Sequence, residues 1–439
     1  MLSGSHGDSP AVNAEAWDCV VIGAGPAGSC AAAVLGEYGR RVLVLEKETF
    51  PRYAIGESLV PYCYFPLERI GMIEKLRASK FPKKYSVQFV SKHGSGSHPF
   101  YFDEHRVHPS SQTWQVTRSE FDRMLMENAQ EKGALVRQGT RVTSLIEEKG
   151  RVVGVRAMGP DGLEMEYRAQ VVMDASGRNA LSVARNRWRV PDNELKKIAL
   201  WTYYEDASRS PGRDAGATTV AYVDEKNWFW YIPLADNRVS VGLVADRDYL
   251  YSETKDSQAI FEREIAKNEW ISRQVGAGTR CDSYRVTSDF SYRSTYCAVD
   301  GLVLVGDAFA FLDPVFSTGI LLALKSGELA ADSIECGLRE GDLSGTLFHD
   351  YGKTLCKGIE SFRKLVYAFY DPQFRFRSFL ENYPEVRPDL TDCLIGRLDR
   401  DYDTLFAAVS ESTRLPVPLP YGAVGELPSE HSSRYSGDR

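Results

Sequence analysis

Four short apolar runs along the chain predict buried parallel strands, because β-branched runs of this length are typical of strands covered on both faces. They are the segments 18–22, 42–45, 171–173 and 303–305. An alanine-rich segment from Ser29 to about Tyr38 separates the first two runs and predicts a helix. The start of the chain therefore predicts a β-α-β unit, with further strands of the same sheet added much later.

The middle of the chain has a different pattern. Residues from about 190 to 290 alternate apolar and polar positions in several short runs, of which 239–244 is one. Alternation of this kind predicts an antiparallel sheet with two unlike faces. From about Lys325 to Ser412 the pattern is mostly helical, and the segment after Arg414 is rich in Pro, Ser and Gly.

Residues 23–28 read G-x-G-x-x-G between the first strand and the helix. Glycines at this spacing permit a tight turn, close approach of the backbone to a pyrophosphate and close helix packing, while the helix N-terminus attracts phosphate charge. Glu46 ends the second strand, where a carboxylate accepts hydrogen bonds from ribose. We assign dinucleotide contacts to Gly23, Gly25, Ala27, Gly28, Glu46 and Lys47.

These patterns predict an α/β protein in which a Rossmann-type domain carries an inserted antiparallel β-sheet and a helical C-terminal region. The predicted division is a disordered N-terminus (1–15), a discontinuous dinucleotide domain (16–86, 110–188 and 286–330), a substrate-side sheet region (87–109 and 189–285), a helical region (331–414) and a flexible tail (415–439).

Composition narrows the class of protein. A chain of 439 residues with 43% hydrophobic and 26% charged residues is ordinary for an enzyme of two or three domains. The net charge of −7 and the lack of a basic run argue against a nucleic-acid partner. No apolar stretch approaches the length of a membrane span and no signal peptide is evident, so we expect a cytoplasmic protein without membrane contact.

Cysteine and histidine usage predicts no metal site. None of the eight cysteines forms a C-x-x-C pair, so we expect reduced, largely buried thiols. A loose histidine group (His93, His98, His105 and His108) lacks the spacing of a helical ligand pair, and metal binding there is a weak alternative.

The run 228–233 reads W-x-W-x-I-P. Side chains alternate along a strand, so Trp228 and Trp230 project on the same face. They are either ordinary core residues or the cover of a pocket.

Three further segments accompany this run: G-E-S-L-V-P at 56–61, a lysine pair in 81–89, and F-x-x-P-x-x-S-x-G at 311–319 after Gly306 and Asp307. A Ser-Thr-Gly turn that enters a helix presents backbone N–H groups to an anion, although a plain helix N-cap at Ser317 or Thr318 fits the same residues. Either lysine is equally compatible with a solvated surface charge.

Taken together, the segments resemble the flavin-dependent halogenases of the phenol and pyrrole type, within the glutathione-reductase-like FAD superfamily. The resemblance implies FAD as cofactor and chloride or bromide as co-substrate. It implies a catalytic Lys84, a substrate shield of Trp228, Trp230, Ile232 and Pro233, a halide site at Ser317, Thr318 and Gly319, and flavin contacts from Gly56, Glu57, Ser58, Arg118, Asp174, Gly306, Asp307, Pro314 and Gly319.

The family chemistry defines the expected reaction. Reduced FAD and dioxygen give a C4a-hydroperoxide, which halide converts to a hypohalous acid equivalent that Lys84 directs to an aromatic ring. Tryptophan halogenases carry a glutamate directly before the Ser-Thr-Gly turn, where this chain has Phe316. A strongly activated ring needs less help with deprotonation, so we expect a phenol or pyrrole, either free or tethered to an acyl carrier protein.

The partners and the rival functions follow from what the chain lacks. No second nucleotide-binding glycine turn is evident, so a separate flavin reductase is expected, and a homodimer is an assembly that the sequence leaves open. An aromatic hydroxylase is one alternative, although those enzymes usually carry Asp-Gly where this chain has Asp174 and Ala175. A geranylgeranyl-reductase-like flavin enzyme and a flavoprotein that only binds its ligand are the others.

Overall fold

The computed structural model describes residues 17–224, 226–288, 291–420 and 422–427. The predicted disordered segment 1–15 and the last twelve residues of the predicted tail, 428–439, lie outside the described residues.

The strands of the described residues are numbered in chain order. They are β1 Trp17–Ile22, β2 Val42–Leu45, β3 Lys83–Lys84, β4 Ser86–Val90, β5 Phe100–Tyr101, β6 Thr113–Trp114, β7 Leu135–Arg137, β8 Arg141–Glu148, β9 Arg151–Met158, β10 Glu164–Asp174, β11 Arg189–Pro191, β12 Lys197–Glu205, β13 Thr218–Tyr222, β14 Trp228–Pro233, β15 Arg238–Asp246, β16 Thr279–Arg280, β17 Arg285–Ser288, β18 Tyr292–Ser294, β19 Tyr296–Val299, β20 Leu302–Leu304, β21 Ala310–Phe311 and β22 Ala423–Val424.

The α-helices are numbered in the same way. They are α1 Pro26–Glu37, α2 Tyr64–Arg69, α3 Ile73–Arg77, α4 Arg118–Glu131, α5 Leu181–Asn186, α6 Arg247–Leu250, α7 Ser257–Ile265, α8 Glu269–Gly276, α9 Gly319–Glu340, α10 His349–Tyr370, α11 Phe376–Asn382, α12 Arg387–Leu394 and α13 Asp403–Ser412.

A parallel sheet forms the centre of the nucleotide-binding part. Strands β20, β10, β1, β2 and β7 lie side by side in this order, and all four pairings between them are parallel. The residues of β2 and most of those of β1 are buried, because α1 and its neighbours cover the sheet. The four apolar runs of the sequence thus meet in one sheet, as the pattern predicted.

A second sheet contains the segment around residues 190–290. Its strand order is β16-β12-β15-β14-β13-β4-β5, with β17 also on β12. All pairings are antiparallel except that of β13 with β4. The two faces bury different cores, one beside α7 and α8 and the other facing the nucleotide-binding part. The predicted fold class is therefore confirmed.

Two predictions about boundaries differ from the structure. A boundary between residues 330 and 331 would cut α9, a continuous helix of 22 residues. The end of the chain is less loose than its composition predicted, since β22 pairs with β19 in parallel and Gly425 N–H donates to the Ala298 carbonyl at 2.9 Å. Backbone hydrogen bonds at a sheet edge need no apolar pattern, so composition did not reveal this strand. The remaining domain limits stay predictions.

The helices of the described residues include none that combines the length and the apolar character needed to cross a membrane. Cys281 and Cys336 are exposed, the other six cysteines are buried, and all eight are free thiols.

Candidate active site

A cavity of about 670 Å³ lies between the carboxyl ends of the parallel strands and the second sheet. This is the position where open α/β sheets bind their ligands. Its walls come from the glycine turn, the segment 52–58, the residues after β10, the start of α9, and the inner face of β12, β13 and β14.

The glycine turn is held open by the absence of side chains. A Cβ added to Gly28 would lie 2.0 Å from the Gly23 carbonyl oxygen, and Gly23 itself has a φ of +101°. At Gly25 the nearest atom to an added Cβ is 3.5 Å away, so that position has free space toward the cavity. Helix α1 begins at Pro26, and its unpaired N–H groups face the same space.

The Glu46 carboxylate accepts a hydrogen bond from the backbone of this turn. One carboxylate oxygen accepts from Ala24 N–H at 2.9 Å and the other accepts from Glu48 N–H at 3.0 Å. Glu46 and Lys47, the predicted dinucleotide contacts at the end of β2, both line the cavity. Arg52, which the sequence analysis did not select, also lines it and lies 3.1 Å from a carboxylate oxygen of Asp122.

One predicted flavin contact, Asp174, is wrong, because its side chain does not line the cavity. Asp174 is fully buried, and its two carboxylate oxygens accept from Ser176 N–H at 3.0 Å and Ser182 N–H at 2.8 Å. The carboxylate therefore shapes the turn, and Ser176 and Arg178 of that turn line the cavity in its place. An acid at the end of a buried strand satisfies nearby N–H groups as readily as a ligand.

Gly306 and Asp307 have different positions relative to the cavity. Gly306 lies behind the cavity with a φ of +59° and close to Ala27, while Asp307 lines the cavity. Burial raises the pKa of Asp307 to about 6, opposed by the charges of Arg118 and Arg178.

Arg118 ties three segments together beside the cavity. Its guanidinium binds both carboxylate oxygens of Asp122, at 2.8 and 3.0 Å, and donates to the carbonyls of Ile55 and Gly56. This arrangement fixes the segment 55–58, whose residues Gly56, Glu57 and Ser58 line the cavity.

Lys84 is buried, with 1% of its surface exposed. Its ammonium donates to Ser58 Oγ at 2.8 Å and to the Leu59 carbonyl at 3.0 Å, and it lies 5.6 Å from the centre of the Phe102 ring. Burial lowers the pKa of this amine to about 7. Lys83 is exposed, so the structure separates the two lysines.

Hydroxyl groups connect Lys84 with the cavity. Ser58 Oγ lies 2.8 Å from Thr218 Oγ1, and both residues line the cavity, whereas Lys84 lies directly behind Ser58. The Gln115 amide donates to Thr218 Oγ1 and to the Gly216 carbonyl, both at 2.8 Å. Sequence analysis missed Thr218 and Gln115, because no local pattern marks them.

Three tryptophans form the wall opposite the glycine turn. Trp228 and Trp230 line the cavity with ring centres 6.4 Å apart, and Trp201 from β12 joins them 6.2 Å from Trp230. Gly242 of β15 pairs with both Trp201 and Trp230, and a Cβ added there would lie 2.0 Å from the Trp230 ring. The missing side chain lets the two indoles lie over the strand between them.

Pro233 does not belong to this wall. Ile232 lines the cavity beside the tryptophans, but Pro233 projects to the other face with Tyr231. The two-residue period of a strand requires this, since 228, 230 and 232 share one face and 233 shares the other.

A chain of hydrogen bonds connects the tryptophan wall with the predicted halide turn. Trp228 Nε1–H donates to the Tyr370 hydroxyl at 2.9 Å, and this hydroxyl donates to Asp313 at 2.9 Å. The other carboxylate oxygen of Asp313 accepts from Val315 N–H at 3.0 Å, which fixes the turn that begins at Pro314. Burial raises the pKa of Asp313 to about 6.

The predicted halide residues lie at the start of α9. Ser317, with a φ of +56°, and Gly319 line the cavity together with Pro314. Thr318 is buried and precedes the first residue of the helix. The first N–H groups of a 22-residue helix lack intrahelical partners, and the helix dipole adds positive potential there.

Phe316 lies in an aromatic cluster. Its ring centre is 5.9 Å from Phe369 of α10 and 6.3 Å from Phe376 of α11. Tyr222 stacks on Phe369 at 5.4 Å. An apolar site of this kind holds no carboxylate at the position where tryptophan halogenases have one.

No group of three His, Cys, Asp or Glu side chains in the described part of the chain is arranged to hold a metal ion. In the histidine group, His105 pairs with Asp392 at 2.9 Å and His108 stacks on Phe65.

Comparison with known proteins decides among the functions that this geometry allows. Residues 18–115 and 103–379 match the tryptophan halogenase family. The chain belongs to this family. It is a flavin-dependent halogenase with FAD as cofactor, and the hydroxylase and reductase alternatives are set aside.

Three relatives of this halogenase illustrate its place in the family. It is 32% identical to the 1H-pyrrole-2-carbonyl-[peptidyl-carrier protein] brominase of Pseudoalteromonas luteoviolacea, over 87% of this chain and 92% of that protein. It is 29% identical to the corresponding chlorinase of Pseudomonas fluorescens, over 87% and 89%. The solved structure of the myxobacterial chondrochloren halogenase, 32% identical, has a TM-score of 0.77 and covers 88% of this chain and 91% of that one.

The residues of the halogenase cavity fit FAD. The glycine turn and the start of α1 suit a pyrophosphate, and an added side chain at Gly28 would close the turn. At the opposite end of the binding region, Glu57 keeps one carboxylate oxygen without a hydrogen-bond partner in the described structure. Such a buried atom is expected where a bound polar group completes the site.

Proposed function

We propose that this halogenase chlorinates or brominates an electron-rich ring, and that its acceptor is a pyrrole carried on a peptidyl carrier protein. The observation that carries the proposal is the buried amine of Lys84, held by Ser58 and Leu59 directly behind the cavity wall. A lysine without a role in chemistry is seldom buried without a carboxylate partner.

Lys84 holds a proton that can be given up or kept near neutral pH. Its pKa of about 7 follows from burial, so both the amine and the ammonium are accessible under working conditions. As an ammonium, Lys84 donates a hydrogen bond to the oxidised halide and places it toward the ring. Ser58 and Thr218 orient the amine and exclude bulk water from it.

Reduced FAD, when bound, would supply two electrons that reduce dioxygen to the peroxide level, and oxygen at that level would oxidise the halide. The backbone of Ser317 to Gly319 and the N-terminus of α9 bind the halide before that step. Trp201, Trp228 and Trp230 keep the organic substrate away from the flavin, and so direct the oxidising equivalent to halide rather than to the ring.

Phe316 favours an activated ring. Because its neighbours Phe369 and Phe376 are apolar, no carboxylate at this position removes the proton from the halogenated ring. Pyrroles and phenols stabilise that intermediate by themselves, and the pyrrole halogenases among the relatives support the tethered pyrrole as the first choice. A separate flavin reductase supplies FADH2. The homodimer and the cytoplasmic location stay predictions.

The test uses the purified protein with FAD, a flavin reductase, NADH and either halide. The acceptors are free phenols, free pyrrole-2-carboxylate, and a pyrrole-2-carbonyl group loaded on a peptidyl carrier protein. We expect halide-dependent mass gain on the loaded carrier. It should fall by roughly 10²- to 10⁴-fold in Lys84→Ala and persist in Lys83→Ala, the matched control.

The alternatives give different results. Halogenation of free phenols alone would leave the chemistry in place and overturn the tethered acceptor. Gain of oxygen without halide would establish a hydroxylase, and equal activity in both lysine variants would remove Lys84 from the mechanism.

A further inference from the structure

Glu57 is a buried carboxyl group. One of its oxygens has a hydrogen-bond partner, and the other has none among the described residues. It lines the cavity with 4% of its surface exposed. Its Oε1 accepts from the Tyr203 hydroxyl at 2.7 Å, while Oε2 has no hydrogen-bond partner among the described residues. Leaving a carboxylate oxygen unpaired in the interior is costly unless the group is protonated or receives a ligand.

A line of hydroxyl groups leads from Glu57 toward solvent. The Tyr203 hydroxyl lies 3.0 Å from the Tyr53 hydroxyl, and Trp201 Nε1–H donates to Tyr53 at 2.6 Å. Since the single proton of Tyr203 goes to Glu57, Tyr53 must donate to Tyr203. Tyr53, the last residue of the line, is 42% exposed.

The charges around Glu57 do not neutralise it. Burial raises its pKa to about 7, against the opposing effects of Ser240, Tyr203, Arg118 and Arg238. Arg118 is already bound to Asp122, whereas the Ser240 hydroxyl, which accepts from Trp230 Nε1–H at 3.0 Å, keeps its own proton and lowers the pKa of Glu57.

Arg238 packs over the Tyr203 ring at 4.8 Å. The tyrosines stay neutral, because burial raises the pKa of both Tyr53 and Tyr203. Protons therefore move along this line by exchange between hydroxyl groups, without a phenolate.

We propose that Tyr53, Tyr203 and Glu57 conduct a proton from the surface to the flavin cavity. The proposal rests on the proposed function, whose balance requires such a proton. Reduced flavin and halide each give two electrons to dioxygen, and the products are the halogenated ring, oxidised flavin and two waters. The hydrogens balance only if one proton enters from solvent for each turnover.

The transfer breaks and forms O–H bonds in sequence. Glu57 gives up its proton from Oε2 toward the cavity and receives one at Oε1 from Tyr203. Tyr203 is restored by Tyr53, and Tyr53 by water. Rotation of the carboxyl group and of the two phenol O–H bonds then restores the starting arrangement, with a proton on Oε2. A general acid in this position contributes roughly 10²- to 10⁴-fold to the step that it serves.

The decisive variant is Tyr203→Phe, with Tyr204→Phe as matched control. Tyr204 is the next residue of β12 and packs in the core on the other face of the sheet. We expect Tyr203→Phe to lower kcat at least tenfold and to change the solvent deuterium isotope effect on kcat, while KM for the organic substrate is retained. Tyr204→Phe should match the wild type in all three.

A second readout needs neither FAD nor turnover. Infrared spectra of the apoprotein should show a protonated carboxyl band that persists from pH 5 to about pH 7. The wild-type minus Glu57→Gln difference spectrum isolates this band from those of Asp307 and Asp313, whose pKa values are about 6. The band should shift in Tyr203→Phe, because the hydrogen bond to Oε1 is lost.

Two results would overturn the inference: a Glu57 carboxyl that is ionised at pH 5 to 6, or a Tyr203→Phe enzyme with wild-type kcat and isotope effect. These results are distinct from failure of the proposed function. A wild-type protein that halogenates nothing removes the proposed function whatever the infrared bands show. A Tyr203→Phe enzyme that halogenates at the normal rate removes the proton path alone.

Discussion

The glycine turn at 23–28 and the wall around Lys84 face the same cavity, but they are built in opposite ways. The turn is one continuous segment that works through its backbone, and its essential property is space that no side chain fills. The wall is assembled from side chains of separate segments, with Ser58, Lys84, Gln115 and Thr218 joined by hydrogen bonds. Substitutions that add atoms therefore disturb the glycine turn, whereas substitutions that remove side-chain atoms disturb the wall around Lys84.

This difference separates cofactor binding from chemistry. A change in the turn acts on the fold of the nucleotide-binding part or on the approach of the pyrophosphate. A change in the wall leaves that part untouched and acts on the orientation of one amine. Variants in the two regions should thus affect different measurements.

At neutral pH, the largest change in unfolding free energy is expected for Gly28→Ala. Its Cβ would lie 2.0 Å from a backbone oxygen, so the turn must deform, at a cost of about 1–3 kcal/mol in unfolding free energy. Gly25→Ala is the control, because its Cβ meets nothing closer than 3.5 Å. We expect it to keep the stability of the apoprotein but to weaken FAD binding by roughly tenfold, or about 1.4 kcal/mol. Calorimetry and FAD titration measure both; equal stabilities would contradict the prediction.

Ser58→Ala should lower halogenation even when FADH2 is saturating. The amine of Lys84 loses a hydrogen-bond acceptor, which costs about 1–3 kcal/mol when a buried polar group is left unpaired. Ser86→Ala is the matched control, since this buried serine donates to Asp214 instead. Product formation under saturating FADH2 is the measurement. A Ser58→Ala enzyme as active as Ser86→Ala would show that the hydroxyl does not orient Lys84.

The titration of Lys84 makes the stability of the protein depend on pH, and this dependence tests the environment of the amine. Its pKa in the folded protein, about 7, lies below the ordinary value of 10.5. Between these values the unfolded lysine binds a proton that the folded one does not, so stability relative to Lys84→Met rises with pH. The slope is about 1.4 kcal/mol per pH unit. Thermal unfolding from pH 7 to 10 measures it. Glu57 is present in both proteins, and its contribution cancels; a flat difference would mean an unperturbed amine.

The smallest effect is expected for Tyr370→Phe. Trp228 and Asp313 each lose one hydrogen bond, worth about 1 kcal/mol, so halogenation per FADH2 oxidised should fall less than about fivefold. Tyr367→Phe is the control on the same helix, because its hydroxyl binds Asp192 and does not contact Trp228. Peroxide release and tryptophan fluorescence report on the indole. No change in either measurement would show that Tyr370 does not position the Trp228 indole.

The same contrast explains how much the sequence could predict. The glycine turn, Glu46 and the alternation of Trp228 and Trp230 are local patterns, so spacing alone was sufficient. The prediction that Pro233 belongs to the substrate shield was wrong, although the same alternation places it on the face opposite Trp228 and Trp230. Asp174 was wrong because a strand-end acid serves a ligand or its own backbone equally well.

The groups behind Ser58, the hydrogen-bond partner of Lys84, could not be predicted. Thr218 contacts Ser58 and Gln115 contacts Thr218 because β13 pairs with β4 and Gln115 N–H donates to the Pro82 carbonyl. Trp201 joins the other tryptophans through strand register across β15. Such neighbours follow from tertiary pairing, which one sequence without relatives does not contain.

The glycine at position 242 has a consequence for engineering this enzyme. The Trp230 indole occupies the space of the absent side chain, so the shield has no room for an added methyl group at this point. Selection for larger acceptors should therefore exchange an indole first and change the glycine last. A library that randomises 242 alone should return mostly glycine, whereas one that pairs it with Trp230 has room to vary both.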